Sequence, residues 1–133
     1  SPYTFSASYN SILSMKALPV FADTDPATLT INPELIESRI TERTRAIMPV
    51  HIFGMPCEMD SINAIARKHK LAGGEDVAQS SGGSYKGRML GAIGDLGCFS
   101  FDYYKLIVSG EGARGECCDR EEGDCGESHG LSH

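Results

Sequence analysis

Three side chains of complementary chemistry lie in segments that read as strand ends. Asp76 and Gln79 stand in EDVAQSSGG, and Lys105 stands in CFSFDYYKLIVSGEG, between an aromatic, strand-like run and a glycine-flanked turn. Lysine is among the side chains least often buried, so a solvated position is its ordinary fate. Here Phe99, Phe101, Tyr103, Tyr104, Leu106 and Ile107 flank it like the walls of a pocket. An amine in such a pocket loses hydration and becomes nucleophilic. A carboxylate, an amide and an amine converging on one rim could serve a cofactor with a basic ring nitrogen, a phenolic oxygen and an aldehyde. Pyridoxal phosphate has those three groups. His51 and Gly54, in PVHIFGMP, occupy a comparable strand-end position.

The elements that must position these groups alternate. The apolar runs PVFAD (19–23) and RAIMPV (45–50) read as buried strands. Between them, Asn32 before Pro33 supplies an N-cap and a first-turn proline, and Leu35, Ile36 and Ile40 recur at helical spacing, which predicts a helix. A second amphipathic helix is expected over 59–69, with Ile62, Ile65 and Ala66 on one face, and a third strand over 71–76. Strand, helix, strand, helix, strand argues for a mostly parallel sheet covered by helices. Ahead of it, 6–15 predicts a helix with Ile12 and Leu13 inward; after it, SYKGRMLG (84–91) reads as a hairpin and GCFSF (97–101) as a strand. In such sheets ligands gather outside the carboxyl ends of the strands, where Asp76, Gln79, His51 and Lys105 fall.

The chain of 133 residues, 41% of them hydrophobic, suits one domain with a real core. Its net charge of −6 is concentrated after residue 110, where seven acids and two bases leave −5. Periodicity also stops there, so order is expected for 1–112 and poor order for the acidic, cysteine-bearing stretch 113–133. Without a basic stripe, nucleic acid is disfavoured as a partner. No apolar run has the length of a membrane span and no charged-then-apolar leader is visible, so a cytoplasmic setting is expected; a start at Ser1 rather than Met suggests a fragment. Five cysteines at irregular spacing argue against a disulfide framework. Cys117, Cys118, Cys125, His129 and His133 invite a zinc reading but lack the paired spacing of structural sites, and no metal is assigned. GEGARG fits a dinucleotide fingerprint only formally, since no helix and no completed βαβ unit follow it.

SPYTFSASYNSIL, PVFADTDPATLTINPELIESRIT, RTRAIMPVHIFGMPCEMDSINAIARKH, EDVAQSSGGSYKGRMLGAIGDLGCFSFDYYK and GEG, in this order, closely resemble the DegT/DnrJ/EryC1/StrS sugar aminotransferases from Ser1 to about Gly112. The resemblance implies an α/β fold of the aspartate aminotransferase type, with a mostly parallel sheet and helices on both faces, here as part of a large pyridoxal-phosphate-binding domain. It implies transamination of a keto sugar, commonly nucleotide-linked, with glutamate as amino donor, and a homodimer for the full-length protein. Carried over residue by residue, it makes Lys105 the Schiff-base lysine and proton carrier, and sets Asp76 against the pyridine nitrogen. Gln79 would bond the phenolic oxygen, Phe5 would stack on the ring and Ser100 would bond the phosphate. His51 lies in a family motif without an assigned role.

This sequence departs from the family in three places. The glycine and Ser/Thr turn that binds phosphate would precede Ser1. Gly73 and Gly74 replace bulky apolar residues, weakening a strand by entropy and lost packing. After GEG, ARGECC replaces an apolar strand, and the C-terminal domain does not follow. Two readings stand: part of a pyridoxal-phosphate sugar aminotransferase, or a non-catalytic remnant of that fold. Related dehydratases carry histidine where Lys105 stands, and a metal-binding tail is the least favoured reading.

Overall fold

The computed structural model describes residues 1–110, 112–118 and 125–126. Helix α1 (Ser6–Ser14) is followed by single 3-10 turns at Pro33–Leu35 and Glu37–Arg39, then by β1 (Ala46–Ile47). A third such turn, Ile52–Gly54, leads to α2 (Met59–His69) and β2 (Ala72–Asp76). The hairpin β3 (Ser84–Tyr85) and β4 (Arg88–Met89) precedes β5 (Leu96–Ser100), β6 (Ala113–Cys118) and β7 (Cys125–Gly126). Among the described residues the main sheet has the order β1-β2-β5-β6-β7. Its first three strands are parallel, and β6 and β7 join antiparallel. The α/β class expected from the alternating pattern is the class observed.

α2 shows why the core forms where it does. Met59, Ile62, Asn63 and Ala66 are its buried residues, spaced i, i+3, i+4 and i+7, so one face packs on β1 and β2. Ile47, Leu71, Val77, Leu90 and Ile93 complete the same cluster. The helix ends in a Schellman turn, with Leu71 N–H donating to Ala66 O at 2.8 Å and Lys70 N–H to Arg67 O at 3.2 Å. Arg67, Lys68 and His69 in the last turn complement the helix dipole.

The pairing of β1, β2 and β5 is prolonged at their carboxyl ends. Asp76 N–H donates to Pro49 O at 2.9 Å, His51 N–H to Asp76 O at 3.0 Å, and Val77 N–H to Cys98 O at 2.8 Å. Val50, Asp76 and Cys98 therefore share one stapled edge, which is where strand-end chemistry has to sit.

Four expectations differ from what is found. Residues 19–23 form no ladder among the described residues: pairing is confined to the single bridge Thr24↔Ile31, beside which Asn32 N–H donates to Asp23 O at 2.9 Å, and Ala22 is buried while Leu18, Val20 and Phe21 are exposed. A short apolar run cannot by its periodicity distinguish a paired strand from an unpaired extended segment. Residues 32–40 make two 3-10 turns instead of one α-helix: Asn32 does cap Glu34 N–H, but Ile40 is already extended. Of its three apolar residues only Ile36 is buried, while Leu35 is exposed, so packing of one face does not sustain an α-helix here. On α1 the buried residue is Ser8, while Leu13 is 47% exposed.

The fourth difference concerns the stretch after Gly112. Ala113–Cys118 pairs with the whole of β5, from Ser100↔Ala113 to Leu96↔Cys117. A ladder needs backbone donors and acceptors, which ARGECC has despite its lack of alternation. Residues 119–124 and 127–133, with His129 and His133, lie outside the described residues. Among those described, no group of three or more His, Cys, Asp or Glu could hold a metal ion, and no helix is long and apolar enough to cross a membrane.

Gly74 sits in β2 with nothing within 4 Å of the position a Cβ would take. Gly74→Ala is expected to raise stability by about 0.5–1 kcal/mol, because it removes backbone entropy of the unfolded chain without a clash. Thermal denaturation of the two chains measures the gain.

Candidate active site

Asp76 closes β2, and both of its oxygens are engaged. Oδ2 accepts the Ser8 hydroxyl at 2.7 Å and Oδ1 accepts Ala78 N–H at 3.1 Å. Since the single Ser8 proton goes to the carboxylate, the Thr4 hydroxyl is the donor in its 2.8 Å bond to Ser8. The chain Thr4, Ser8, Asp76 ties α1 to the edge of the sheet. Ser8 is missed by a search for apolar periodicity; its signal in the sequence is a hydroxyl in the first turn of a helix, four residues after Thr4, which precedes the N-cap Phe5. Cys98, exposed at the surface, is the register partner of Asp76, and partial desolvation, then the Asp76 charge, push its thiol up from the ordinary range.

Gln79 and Lys105 line one cavity of about 280 Å³, with Phe53, Ala78, Ser81, Tyr104 and Leu106. Phe53 N–H donates to Gln79 Oε1 at 3.2 Å. That bond fixes which way the amide points and leaves its N–H₂ as the donor end on the cavity. Phe53 holds φ +50°, a left-handed conformation uncommon outside glycine, with Gly54 following at φ +81°. The Tyr3 ring meets Phe53 edge-on at 6.0 Å between centroids. Lys105 is half-buried and starts from a turn in which its N–H donates to Asp102 O at 2.9 Å.

The expected residues are brought together in part. Asp76 is not among the residues that line the cavity; its Oδ1 accepts the N–H of Ala78, which does line it. Phe5 is 67% exposed at the N-cap of α1, and Ser100 is half-buried at the end of β5; neither lines the cavity. A larger cavity of about 370 Å³, lined by Thr41, Arg45, His69 and Leu71 among others, lies at the amino ends of β1 and β2. Strand-end chemistry favours the smaller one.

Glu75 and His51, both fully buried, occupy the interior beside this edge. Glu75 Oε2 accepts His51 Nε2–H at 3.0 Å and Gly91 N–H at 2.9 Å, while Oε1 accepts Ile93 N–H at 2.7 Å and Gly94 N–H at 2.6 Å. Cys57 N–H donates to His51 Nδ1 at 3.0 Å. Nδ1 therefore carries a lone pair and the ring proton sits on Nε2, so the contact is a hydrogen bond from a neutral imidazole to a carboxylate. Burial pushes the Glu75 carboxyl up, but the His51 bond and the backbone N–H groups of Gly94, Gly91 and Ile93 outweigh it and hold the group below its ordinary range. The role of Glu75 is also missed in the sequence, where it reads as one more strand residue before Asp76. Burial raises the Cys57 thiol to about 12, so it is an inert core group.

The donor set fits pyridoxal phosphate in kind. Asp76 has used two of the roughly four lone-pair sites of a carboxylate, Gln79 presents N–H donors, and Lys105 presents a primary amine; of the apolar residues expected to wall it, only Tyr104 and Leu106 line the cavity, and both are exposed. Residues 1–116 match the model of the DegT/DnrJ/EryC1/StrS aminotransferase family. The chain belongs to this family. Its members are aminotransferases dependent on pyridoxal phosphate. GDP-perosamine synthase of Caulobacter vibrioides is 45% identical over 109 residues, which are 82% of this chain and 29% of that protein. The X-ray structure of an aminotransferase from Psychrobacter cryohalolentis superposes with a TM-score of 0.84 at 45% identity, over 87% of this chain and 30% of that one. DesI, solved in the presence of its TDP-sugar product, gives 0.83 at 34% identity, over 87% and 29%. The chain thus spans about a third or less of the length of these relatives.

Two outcomes follow from the bonds at this edge. Ser8→Ala deletes a hydrogen bond to a carboxylate and is expected to lower stability by about 1.5–3 kcal/mol in urea denaturation. For Glu75, the unfolded group titrates near about 4.3 and the folded group lower, so the unfolded state binds more protons between the two values. Stability from this group is complete above that unfolded value and is lost as pH falls through the folded one. The urea midpoint of the wild type should drop in that acid window, and Glu75→Gln should flatten that part of the drop.

Proposed function

We propose that the chain is the cofactor-holding part of an aminotransferase that moves an amino group from glutamate to a keto sugar, commonly a nucleotide-linked one. The carrying observation is that Gln79 and Lys105 line one cavity at the carboxyl ends of parallel strands, and that Ala78 of the same lining donates its N–H to Asp76. The names of the relatives, a GDP-perosamine synthase and an enzyme solved with a TDP-sugar product, support the sugar class. When bound, pyridoxal phosphate supplies an aldehyde that takes up an amino group and a ring that accepts an electron pair.

The residues divide the remaining work. Lys105 Nζ is the amine that holds the cofactor covalently and, once released, carries the proton from the carbon that gives or receives nitrogen. The Asp76 carboxylate, oriented by Ser8 and Ala78 N–H, stabilises positive charge at a ring nitrogen. Gln79, its oxygen held by Phe53 N–H, donates from the amide nitrogen to a phenolic oxygen. Phe5 and Ser100 are proposed for stacking and for phosphate. A homodimer of the full-length protein in the cytoplasm belongs to the same reading.

A second reading, a fold that has kept its architecture without retaining cofactor, is favoured by Phe5 and Ser100 standing outside the cavity lining. One experiment separates the two. The chain is mixed with pyridoxal phosphate, the visible absorbance band recorded, and the adduct fixed with borohydride before peptide mapping. Label on Lys105, lost in Lys105→Ala, is the expected result. Equal label in both chains overturns the lysine assignment, and no label in either supports the second reading.

A further inference from the structure

Glu75 and His51 are the most deeply buried polar pair in the described chain, and the mechanism above uses neither. Removing a charge from water costs several kcal/mol even after relaxation, and an apolar pair of similar volume would be the cheaper core. The bonds of the pair lead outward. His51 holds the 52–57 turn at both ends: its backbone N–H donates to Asp76 O, and its Nδ1 accepts from Cys57 N–H. The same turn carries Phe53 in its left-handed conformation, and Phe53 N–H sets the orientation of the Gln79 amide. Glu75, next to Asp76 on β2, supplies the acceptor that keeps the ring proton on Nε2 and so leaves Nδ1 free to accept.

We propose that Glu75 and His51 are a positioning pair for the cofactor site: touching no reacting atom, they fix the 52–57 turn and through Phe53 N–H aim the donor end of Gln79, beside Asp76. This inference rests on the proposed function for the identity of the ligand. Without the carboxylate, the ring loses the acceptor that selects its tautomer, Cys57 N–H loses a defined partner, and the strained conformation at Phe53 is no longer held from below. In Glu75→Gln the amide must turn an N–H₂ toward one of the two pairs of donors that the carboxylate accepts, so the change is isosteric but electrostatically opposed.

The test uses the full chain labelled with ¹⁵N. In the wild type without cofactor, the His51 ring should show its proton on Nε2 and a lone pair on Nδ1; a proton on Nδ1 overturns the proposal without need of any variant. Glu75→Gln is then compared with Ile62→Val, a core change, with each chain held well below its own melting temperature. The expected result is that Glu75→Gln moves the Phe53 N–H and Gln79 amide resonances and weakens pyridoxal phosphate binding about tenfold, as loss of an outer-shell partner does elsewhere. Ile62→Val should leave both readouts unchanged. A Glu75→Gln chain that melts earlier yet keeps the wild-type resonances and affinity overturns positioning in favour of plain stability. If the wild type binds no pyridoxal phosphate, the proposed function fails, and the Phe53 and Gln79 resonances still decide the positioning.

Discussion

A carboxylate with no exposure to water can remain ionised only if the protein replaces its hydration shell. Glu75 has that replacement in full: one imidazole N–H and three backbone N–H groups, two donors to each oxygen. The arrangement constrains everything around it. Three separate parts of the chain, the 51–57 turn, β2 and the 91–94 turn, have to meet at one point. Backbone must also approach closely there. A Cβ on Gly94 would sit 2.7 Å from Gly73 O, and one on Gly91, which holds φ +91°, would overlap the Phe99 ring. Glycine at these two positions lets the 91–94 turn fold onto the carboxylate.

Burial is graded outward from that point. The inner groups are buried and each has a defined partner, whereas Phe53, Tyr104 and Leu106 at the cavity rim are exposed. Such grading suits a site that has to be stiff where it orients a small ring and open where a larger molecule enters. Preorganisation of this kind depends on outer partners locking the side chains that touch the ligand. Asp76 illustrates it: Ser8 and Ala78 N–H hold its oxygens, and Thr4 in turn holds Ser8. The site thereby reaches α1, the helix farthest from it in sequence.

Legibility in the sequence followed the kind of force involved. α2, β2, the 84–91 hairpin and the strand before Lys105 were readable because side-chain periodicity or turn chemistry decides them. The hairpin turn shows this directly, with Lys86 at φ +50° and Gly87 at φ +80° as a two-residue turn requires. The segment 19–23, the 3-10 turns of 32–40 and β6 were not readable, since ladder partners and tertiary packing decide them and neither is local. At the candidate site, Asp76, Gln79 and Lys105 stand out in the sequence because their chemistry is complementary. Ser8, Glu75 and the part played by His51 do not, because a buried hydrogen-bond network leaves no periodic trace.

Alternation along β2 explains how one strand serves both needs. Neighbouring residues of a strand point to opposite faces, so Glu75 and Asp76 cannot share surroundings. Glu75 turns to His51 and the 91–94 turn, and Asp76 turns to α1. A register slip of one residue against β1 and β5 would exchange the two faces. The longer Glu75 side chain would then face a single serine, and the shorter Asp76 would have to span to three N–H groups it cannot all reach. The four bonds to Glu75 thus disfavour the slipped pairing, and the same acid decides the side of the sheet to which Asp76 turns.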